Sequence, residues 1–417
     1  MKQLDGDIMV IGAGIGGLTL ALCLHDAGLP CRVYEAAAEV LPLGVGLNLL
    51  PHAMGQLHRL GLEDRLLADG IETQEYRYFT RRGQLVQQEP RGRFAGHARP
   101  QVSIHRADLH HALLDAVRAR LGPDAVQLDH RCVGLEQDAQ GVTVTFTDAM
   151  GLPRAPVRGA AAIACDGVHS VVRAKYHPEA RLRYEGTTQY RGTTLWPQFL
   201  SGATMVYLGT IAFGKLVMYP VRDDVDAERR QLVNWVVEVA RPADQLLRDW
   251  NRRSDVSEFI GAFEHASFPW LDVAAVLRAA EAVYEYPMVD QEPLASWTAG
   301  RVTLLGDAAH PMMPRGSNGS AQAILDAAAL TEQLLRQDSV EAALAAYEAQ
   351  RLKATSDVVL ANRSMAPDAI LEVVEERTGG RPFADIADVI GADELLGWQE
   401  RYQRIAGFAQ PSQGRSP

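Results

Sequence analysis

The sequence predicts an α/β protein: a layered domain assembled from non-contiguous pieces of the chain, a second domain with an antiparallel sheet inserted into it, and a helical C-terminus. Three observations carry this. The 417 residues are too many for one small module, and 47% of them are hydrophobic, the ordinary fraction for a globular protein. Buried-strand patterns near both ends, Asp7–Ile11 and Val302–Leu305, enclose a middle third whose strands alternate apolar and polar residues. A glycine-rich turn joins the first of those strands to a helix.

The elements follow in chain order. Asp7–Ile11 reads as a strand, Gly16–Ala27 as a helix stopped by Gly28, and Cys31–Glu35 as the next strand. Pro51–Leu60 is a short helix closed by Gly61. Glu75–Phe79 and Gln84–Gln88 flank Arg82-Gly83, a hairpin signal. Arg106–Leu121 gathers Leu109, Leu113, Leu114 and Val117 on one helical face. Val126–Val133 and Val142–Thr147 alternate as antiparallel strands do, and Ala160–Cys165 is a short apolar strand. Gln189–Leu195, Thr204–Leu208, Lys215–Val221 and Leu232–Val239 read as a separate antiparallel sheet, followed by a more helical stretch, Leu246–Ala280. Helices Ser320–Leu335 and Val340–Asn362 come after Val302–Leu305. Asp368–Phe408 is mostly helical with a break at Gly379-Gly380, and the tail Gln410–Pro417 reads as disordered.

Composition excludes several classes. With 41 Lys and Arg against 52 Asp and Glu, the net charge is −11, which repels a nucleic-acid backbone. Cys23, Cys31, Cys132 and Cys165 contain no C-x-x-C pair and form no disulfide framework, which fits a reducing compartment. Ile8–Leu24 is nearly free of polar side chains. It follows Asp5, Gly6 and Asp7 rather than a positive flank, and it holds four glycines, so it reads as strand, turn and helix rather than signal peptide or membrane span. The expectation is a cytoplasmic protein. No His, Cys or carboxylate cluster has metal-ligand spacing, and adjacent His110 and His111 diverge on their helix.

The first chemical motif is Gly12-Ala13-Gly14-Ile15-Gly16-Gly17. Gly12 allows the tight turn, Gly14 a close backbone approach to a pyrophosphate, and Gly17 close helix–strand packing. The helix N-terminus offers N–H groups and the positive dipole end to phosphate oxygens. Glu35, 18 residues after Gly17 at the end of the next strand, suits both ribose hydroxyls of a dinucleotide. NAD and FAD are not distinguished by this motif. The second motif is Ala164-Cys165-Asp166-Gly167-Val168-His169-Ser170-Val171-Val172-Arg173, and the third is Leu304-Leu305-Gly306-Asp307-Ala308-Ala309-His310-Pro311. Each sets an Asp beside a Gly at the end of a buried strand, where a carboxylate reaches a polyol chain or a pyrophosphate-bound water.

With these three motifs the chain resembles the single-component FAD-dependent aromatic hydroxylases, similar to para-hydroxybenzoate and salicylate hydroxylases, from about residue 7 to about residue 365. Five further segments carry a resemblance to the phenazine-carboxylate hydroxylase branch. They are Pro42–Asn48, Ser103–Arg106, Leu232–Val236, Tyr286–Asp290 and Asn318–Asp326. The resemblance implies a Rossmann-like FAD-binding domain (1–70, 100–182 and 290–365), an inserted antiparallel-sheet substrate domain (71–99 and 183–289), and a helical C-terminal segment, 366–417. It implies hydroxylation of an aromatic or heteroaromatic ring, carboxylated or not, through a flavin hydroperoxide, using NADH or NADPH and molecular oxygen, with oxidative decarboxylation as a variant and a monomeric or homodimeric state.

It also implies roles. Gly12, Gly14, Ile15, Gly16 and Gly17 form the pyrophosphate turn and Glu35 binds the adenosine ribose. Gly46 touches the flavin ring, Arg106 meets the ribityl–phosphate portion, and Val133 meets the adenine through its backbone. Asp166 belongs to the fingerprint tied to FAD and NAD(P)H handling, and Asp307 bonds the ribityl chain. Gly316, Asn318 and Gly319 face the pyrimidine end of the flavin, with Asn318 where the family commonly has Gln. The candidates for a substrate pocket are Arg191, Tyr207, Tyr219, Trp235, Met218, Met313 and Pro314. His310, beside Pro311, reads as a structural hydrogen-bonder. Trp398, Tyr402 and Phe408 read as packing against the FAD-binding part. A flavin halogenase is disfavoured because no Trp-x-Trp run occurs. An NAD-dependent dehydrogenase or a non-catalytic dinucleotide binder leaves Asp166-Gly167 and Gly306-Asp307 unexplained.

Overall fold

The computed structural model describes residues 6–40, 44–241, 252–364 and 367–409. Its first layer is a five-stranded sheet in the order Val302–Leu304, Ala161–Ala164, Ile8–Ile11, Cys31–Tyr34, Val126–Gln127. Every pairing in it is parallel. Such strands are covered on both faces, which is why they read as unbroken apolar runs. Ile8, Met9, Val10, Ala161, Ala162 and Ile163 have no exposure. Helices Ile15–Asp26, Arg106–Leu121 and Gly319–Arg336 supply the covering leucines and alanines.

The second layer is an eight-stranded sheet. Its order is Arg253–Ser254, Val283–Gln291, Leu182–Trp196, Gln231–Ala240, Lys215–Arg222, Thr204–Leu208, Glu75–Phe79, Leu85–Pro90. All its pairings are antiparallel except that of Thr204–Leu208 with Glu75–Phe79, where the early hairpin joins. Strand alternation gives this sheet two distinct faces. One face packs Tyr190, Leu216, Met218, Trp235 and Val237 over Phe259, Phe263 and the helix Val273–Arg278. The other looks toward the parallel-sheet layer.

The structure departs from the sequence reading in three places. Val126–Val133 is not one strand. Asp129 takes the left-handed φ of 58° that aspartate tolerates, so Val126–Gln127 stays in the parallel sheet while Arg131–Gln137 pairs antiparallel with Val142–Thr147. The described part of the stretch read as helical, 252–280, holds one short α-helix, Val273–Arg278, and two single 3-10 turns, Val256–Glu258 and Ile260–Ala262. Its Phe259 and Phe263 pack under the sheet instead of along a helix face. The C-terminal break is wider than two glycines, because helices Ala369–Thr378 and Ala392–Ala406 are separated by 379–391. Residues 42–43, 246–251 and the tail 410–417 lie outside the described residues. No helix among the described residues is long and apolar enough to cross a membrane.

Candidate active site

Parallel pairing places the ends of three strands side by side. The register matches Ile11 with Ala164 and Ala164 with Leu304. Gly12, Cys165-Asp166 and Leu305-Gly306-Asp307 therefore leave the same edge of the sheet. The Cys165 N–H donates to the Ile11 carbonyl (2.8 Å) and the Leu305 N–H to that of Ala164 (2.9 Å). The glycines divide into two kinds. A Cβ on Gly12, at φ +106°, would lie 2.4 Å from the Cys165 carbonyl oxygen, and one on Gly17 would lie 2.0 Å from the Gly12 carbonyl oxygen. These two are required by packing. A Cβ on Gly14 would meet nothing within 4 Å, so that position faces open space at the N-terminus of the helix Ile15–Asp26. Gly14 caps this helix without a side-chain bond, leaving first-turn N–H groups for a ligand.

Side chains hold the turn. Glu35 accepts from the Ala13 N–H (2.7 Å) and from the Ala37 N–H (2.8 Å), which leaves further lone pairs on both carboxylate oxygens. His110 Nε2 lies 2.6 Å from the Ala13 carbonyl, a contact that helical spacing alone does not disclose. Arg173 ties the second motif to the third. Its guanidinium donates to the carbonyls of Asp307 (3.1 Å) and Ala308 (2.9 Å) and contacts that of Val168. Asp166 accepts from the Val171 N–H (2.9 Å) at the start of the helix Val171–Tyr176. Its other oxygen, Oδ1, is buried without a partner, and burial raises its pKa. Val133 stands three residues beyond His130, whose N–H donates to the Glu35 carbonyl, with its own side chain exposed. His310 bonds Asp326 (2.6 Å), which also holds Arg351 (2.7 Å), so its contacts are structural.

Between the two layers lies a cavity of about 430 Å³. Gly44–Asn48, Arg106, Asp307, Met312, Pro314 and Arg315–Ser320 line it from the parallel-sheet side. Gln189, Arg191, Met205, Tyr207, Val217, Tyr219, Val236 and Tyr286 line it from the eight-stranded sheet. The Gly44–Gly46 loop is clamped from both sides. The Gly46 N–H donates to Asn234 Oδ1 (2.7 Å), where a Cβ on Gly46 would sit 2.6 Å from Asn234, and the Arg106 N–H donates to the Val45 carbonyl (3.0 Å). This open glycine turn, an acceptor-rich Glu35, the orphaned Asp166 oxygen and a cavity bounded by glycine loops together fit FAD.

Strand parity decides which candidates reach the cavity. Tyr207 and Tyr219 do, and so does Arg191. Trp235 and Met218 do not: they are registered neighbours on the opposite face, fully buried over Phe259 and Phe263. Their strand neighbours Val217, Tyr219 and Val236 line the cavity instead. Met313 is buried, with its carbonyl accepting from Asn362 Nδ2 (3.0 Å), while Met312 and Pro314 on either side of it line the cavity. Trp235 lies over Gly192 and donates to Thr194 Oγ1 (3.0 Å). A Trp235→Phe substitution is expected to lower stability by about 1–2 kcal/mol in denaturant unfolding. Ligand affinity measured on the same protein stays unchanged.

Arg191 lines the cavity with no carboxylate among the described residues at ion-pair distance. Its donors go to Gln189 Oε1 (3.0 Å from Nε), and it stands over the Tyr286 ring at 5.2 Å. Burial lowers its pKa, and Arg106 acts in the same direction. Two other cations in the wall are neutralised. Lys215 pairs with Glu238 (3.1 Å) and contacts Asp368, and Arg315 pairs with Glu238 (2.6 Å). Burial opposes ionisation of Glu238, yet Lys215 and Arg315 outweigh it and hold the pKa down at about 2.

The C-terminal segment reaches this site as well. Tyr402 Oη accepts from Asn318 Nδ2 (2.7 Å) and lies 3.2 Å from the Arg315 carbonyl and 3.0 Å from Asn362 Oδ1. A Cβ on Gly316 would overlap it at 1.7 Å. Asn318 thus sends its Nδ2 toward the helix Ala392–Ala406, while its Oδ1 is left without a partner at the cavity lining. Tyr402 and Phe408 belong to the main core, and Ile370, Leu371 and Val374 pack on Tyr76, Tyr78 and Tyr207 of the eight-stranded sheet. Tyr402→Phe is expected to cost about 1 kcal/mol and to speed amide exchange at 316–319 roughly tenfold, a local effect that hydrogen-exchange mass spectrometry reads.

The family described as FAD binding domain matches residues 5–362, short of the C-terminal helices. A phenazine 1,6-dicarboxylic acid hydroxylase of Lysobacter antibioticus is 41% identical over 362 residues, covering 86% of this chain and 89% of the relative. A 3-hydroxybenzoate 6-hydroxylase of Polaromonas naphthalenivorans is 30% identical over 372 residues, covering 87% of each. The crystal structure of Klebsiella pneumoniae HpxO complexed with FAD and uric acid superimposes with a TM-score of 0.72 at 26% identity, covering 97% of this chain and 93% of that one. With the three strand-end motifs converging on one edge beside a ring-sized cavity, the chain belongs to the FAD binding domain family and, within it, to the FAD-dependent aromatic hydroxylases.

Proposed function

We propose that the cavity receives a flat aromatic or heteroaromatic ring bearing a carboxylate, and that the protein hydroxylates it using NAD(P)H and molecular oxygen. The observation that carries the substrate class is Arg191, a cavity cation with no carboxylate among the described residues at ion-pair distance, beside Tyr219 and Tyr286. A planar guanidinium fork suits a carboxylate, and the pairing is strengthened where water is excluded. Met205, Val217, Val236, Met288 and Pro314 offer apolar faces to the ring and keep water from it.

FAD, when bound, supplies the two-electron and oxygen chemistry that no side chain in the cavity offers. In this reading the N–H groups around Gly14, Ile15 and Gly16 hold its pyrophosphate and Glu35 its ribose hydroxyls. Val133 meets the adenine through the backbone, Arg106 and Asp307 hold the ribityl portion, and Gly46 and the 316–319 loop hold the ring. The helix Gly319–Arg336 begins without a side-chain cap, and Gly319 and Ser320 line the cavity, so its dipole favours negative charge there by about 0.3–1 kcal/mol. Segments 1–70, 100–182 and 290–365 form the FAD-binding part, 71–99 and 183–289 the substrate part, and 366–417 a helical C-terminal segment that brings Asp368 to the cavity.

The test is a screen of aromatic acids and phenols against the FAD-loaded protein, following NAD(P)H oxidation, oxygen uptake and product mass. Carboxylated rings should stimulate oxidation and yield a product heavier by one oxygen. A protein that retains FAD but responds only to uncarboxylated rings would overturn the substrate class.

A further inference from the structure

The cavity wall contains two cationic stations on the eight-stranded sheet. Arg191 stands on Leu182–Trp196 and Lys215 on Lys215–Arg222, with Gln231–Ala240 between them. Register puts Arg191 opposite Val236 and Lys215 opposite Glu238, so the stations are two strands apart and offset by two residues. At the usual strand spacing and rise their backbones are roughly 12 Å apart, the scale of a fused three-ring system with a substituent at each end. The stations differ in one respect. Arg191 has no carboxylate partner among the described residues, whereas Lys215 has two, Glu238 (3.1 Å) and Asp368.

The two partners of Lys215 are not equivalent. Glu238 is shared with Arg315 (2.6 Å) of the 315–317 loop and also accepts from Thr187 (3.0 Å), so it forms a neutral pair between sheet and loop. Asp368 comes from outside the sheet. It lines the cavity at the start of the helix Ala369–Thr378, and it makes no capping bond to that helix. Its carboxylate is therefore not needed to start the helix. With Glu238 set against Arg315, Asp368 supplies the remaining negative charge at Lys215.

We propose that Asp368 is a specificity-determining residue: its carboxylate takes the place that a second substrate carboxylate would occupy at Lys215, so the cavity accepts a ring with one carboxylate, at Arg191, and rejects one with carboxylates at both ends. A diacid would bring a second negative charge against Asp368 and Glu238, with Lys215 already matched, and like charges brought together in a water-poor cavity oppose binding. This inference rests on the aromatic-acid reading of the cavity and assigns its far end.

The test uses the FAD-loaded protein and two probes, phenazine-1-carboxylate and phenazine-1,6-dicarboxylate, titrated by their effect on flavin absorbance and tryptophan fluorescence. Wild type should bind the monoacid at least tenfold more tightly than the diacid. Asp368→Asn, which keeps the side-chain shape, should narrow or reverse that ratio by tenfold or more with little change for the monoacid. Asp368→Glu, which keeps the charge, should preserve the wild-type preference and guards against a misfolded Asn variant. Equal binding of both probes by wild type, or an unchanged ratio in Asp368→Asn, overturns the assignment of Asp368 while leaving the aromatic-acid reading intact. Binding of neither probe by FAD-loaded wild type overturns both.

Discussion

Gly14→Glu is expected to yield a protein that folds like the parent and purifies without flavin. The two halves of that result have separate causes. A Cβ at Gly14 meets nothing within 4 Å and the backbone there is extended (φ −72°, ψ −178°), so a side chain enters without displacing any neighbour. The carboxylate it carries then stands where the pyrophosphate would bind. Like charges about 4 Å apart at an effective dielectric of about 20 repel by about 4 kcal/mol, which is roughly a thousandfold in affinity. Gly17→Ala is the control with the opposite signature. Its Cβ would lie 2.0 Å from the Gly12 carbonyl oxygen, so stability falls, by about 3 kcal/mol or more. Thermal unfolding of the two apo-proteins and FAD titration separate them. Retention of FAD by a folded Gly14→Glu protein would mean that the pyrophosphate binds elsewhere.

That contrast also shows what the sequence made legible. The buried parallel strands, the glycine turn and the helix Arg106–Leu121 were readable because local pattern and tertiary role coincide. Every residue of Ile8–Ile11 is buried, so no choice of face arises. The hairpin signal at Arg82-Gly83 was also readable, but its parallel docking onto Thr204–Leu208 was not, since pairing between distant segments leaves no local trace.

The cavity was legible only in part. Alternation showed that Tyr219 and Trp235 sit on two-faced strands but not which parity turns inward, and a shift of one residue exchanges the faces. Tyr207, Tyr219 and Arg191 have the inward parity; Trp235 and Met218 have the other. Nothing local pointed to Gln189, Lys215, Glu238 or Asp368, and Asn234 stood out only as part of the resemblance segment Leu232–Val236. Each acquires its meaning from a partner far along the chain, as Asn234 does from Gly46, 188 residues away. Arg173 and His110 had a weaker signal, since each lies in or near a motif segment, but their bonds to the Asp307 and Ala13 carbonyls depend on how strands and helices stack. Packing was the expected role of Tyr402. The added finding is that its hydroxyl reaches the Gly316 loop from a helix beyond the family match.

Arg191→Met is expected to weaken binding of a carboxylated aromatic by roughly thirtyfold or more, since loss of one member of a desolvated, hydrogen-bonded charge pair costs about 2–5 kcal/mol. The same substitution should leave FAD affinity unchanged and should not lower the stability of the apo-protein. The usual penalty for deleting a buried cation arises from the carboxylate left behind, and no carboxylate among the described residues pairs with Arg191. Its bonds run to Gln189 Oε1 and its guanidinium carbon stands 5.2 Å from the centre of the Tyr286 ring, a face that a methionine thioether also suits. Removing the guanidinium also relieves its repulsion with Arg106, at the loss of a weaker attraction to Glu238. Lys215→Met should behave oppositely. It leaves Asp368 without its ion-pair partner and Glu238 with Arg315 as its cation among the described residues, so the apo-protein loses stability before any ligand is added. Paired denaturant melts and ligand titrations on the two variants distinguish a cation held for a ligand from a cation held for the fold. An Arg191→Met protein as destabilised as Lys215→Met would place Arg191 in the second class and remove the basis for assigning it to a substrate carboxylate.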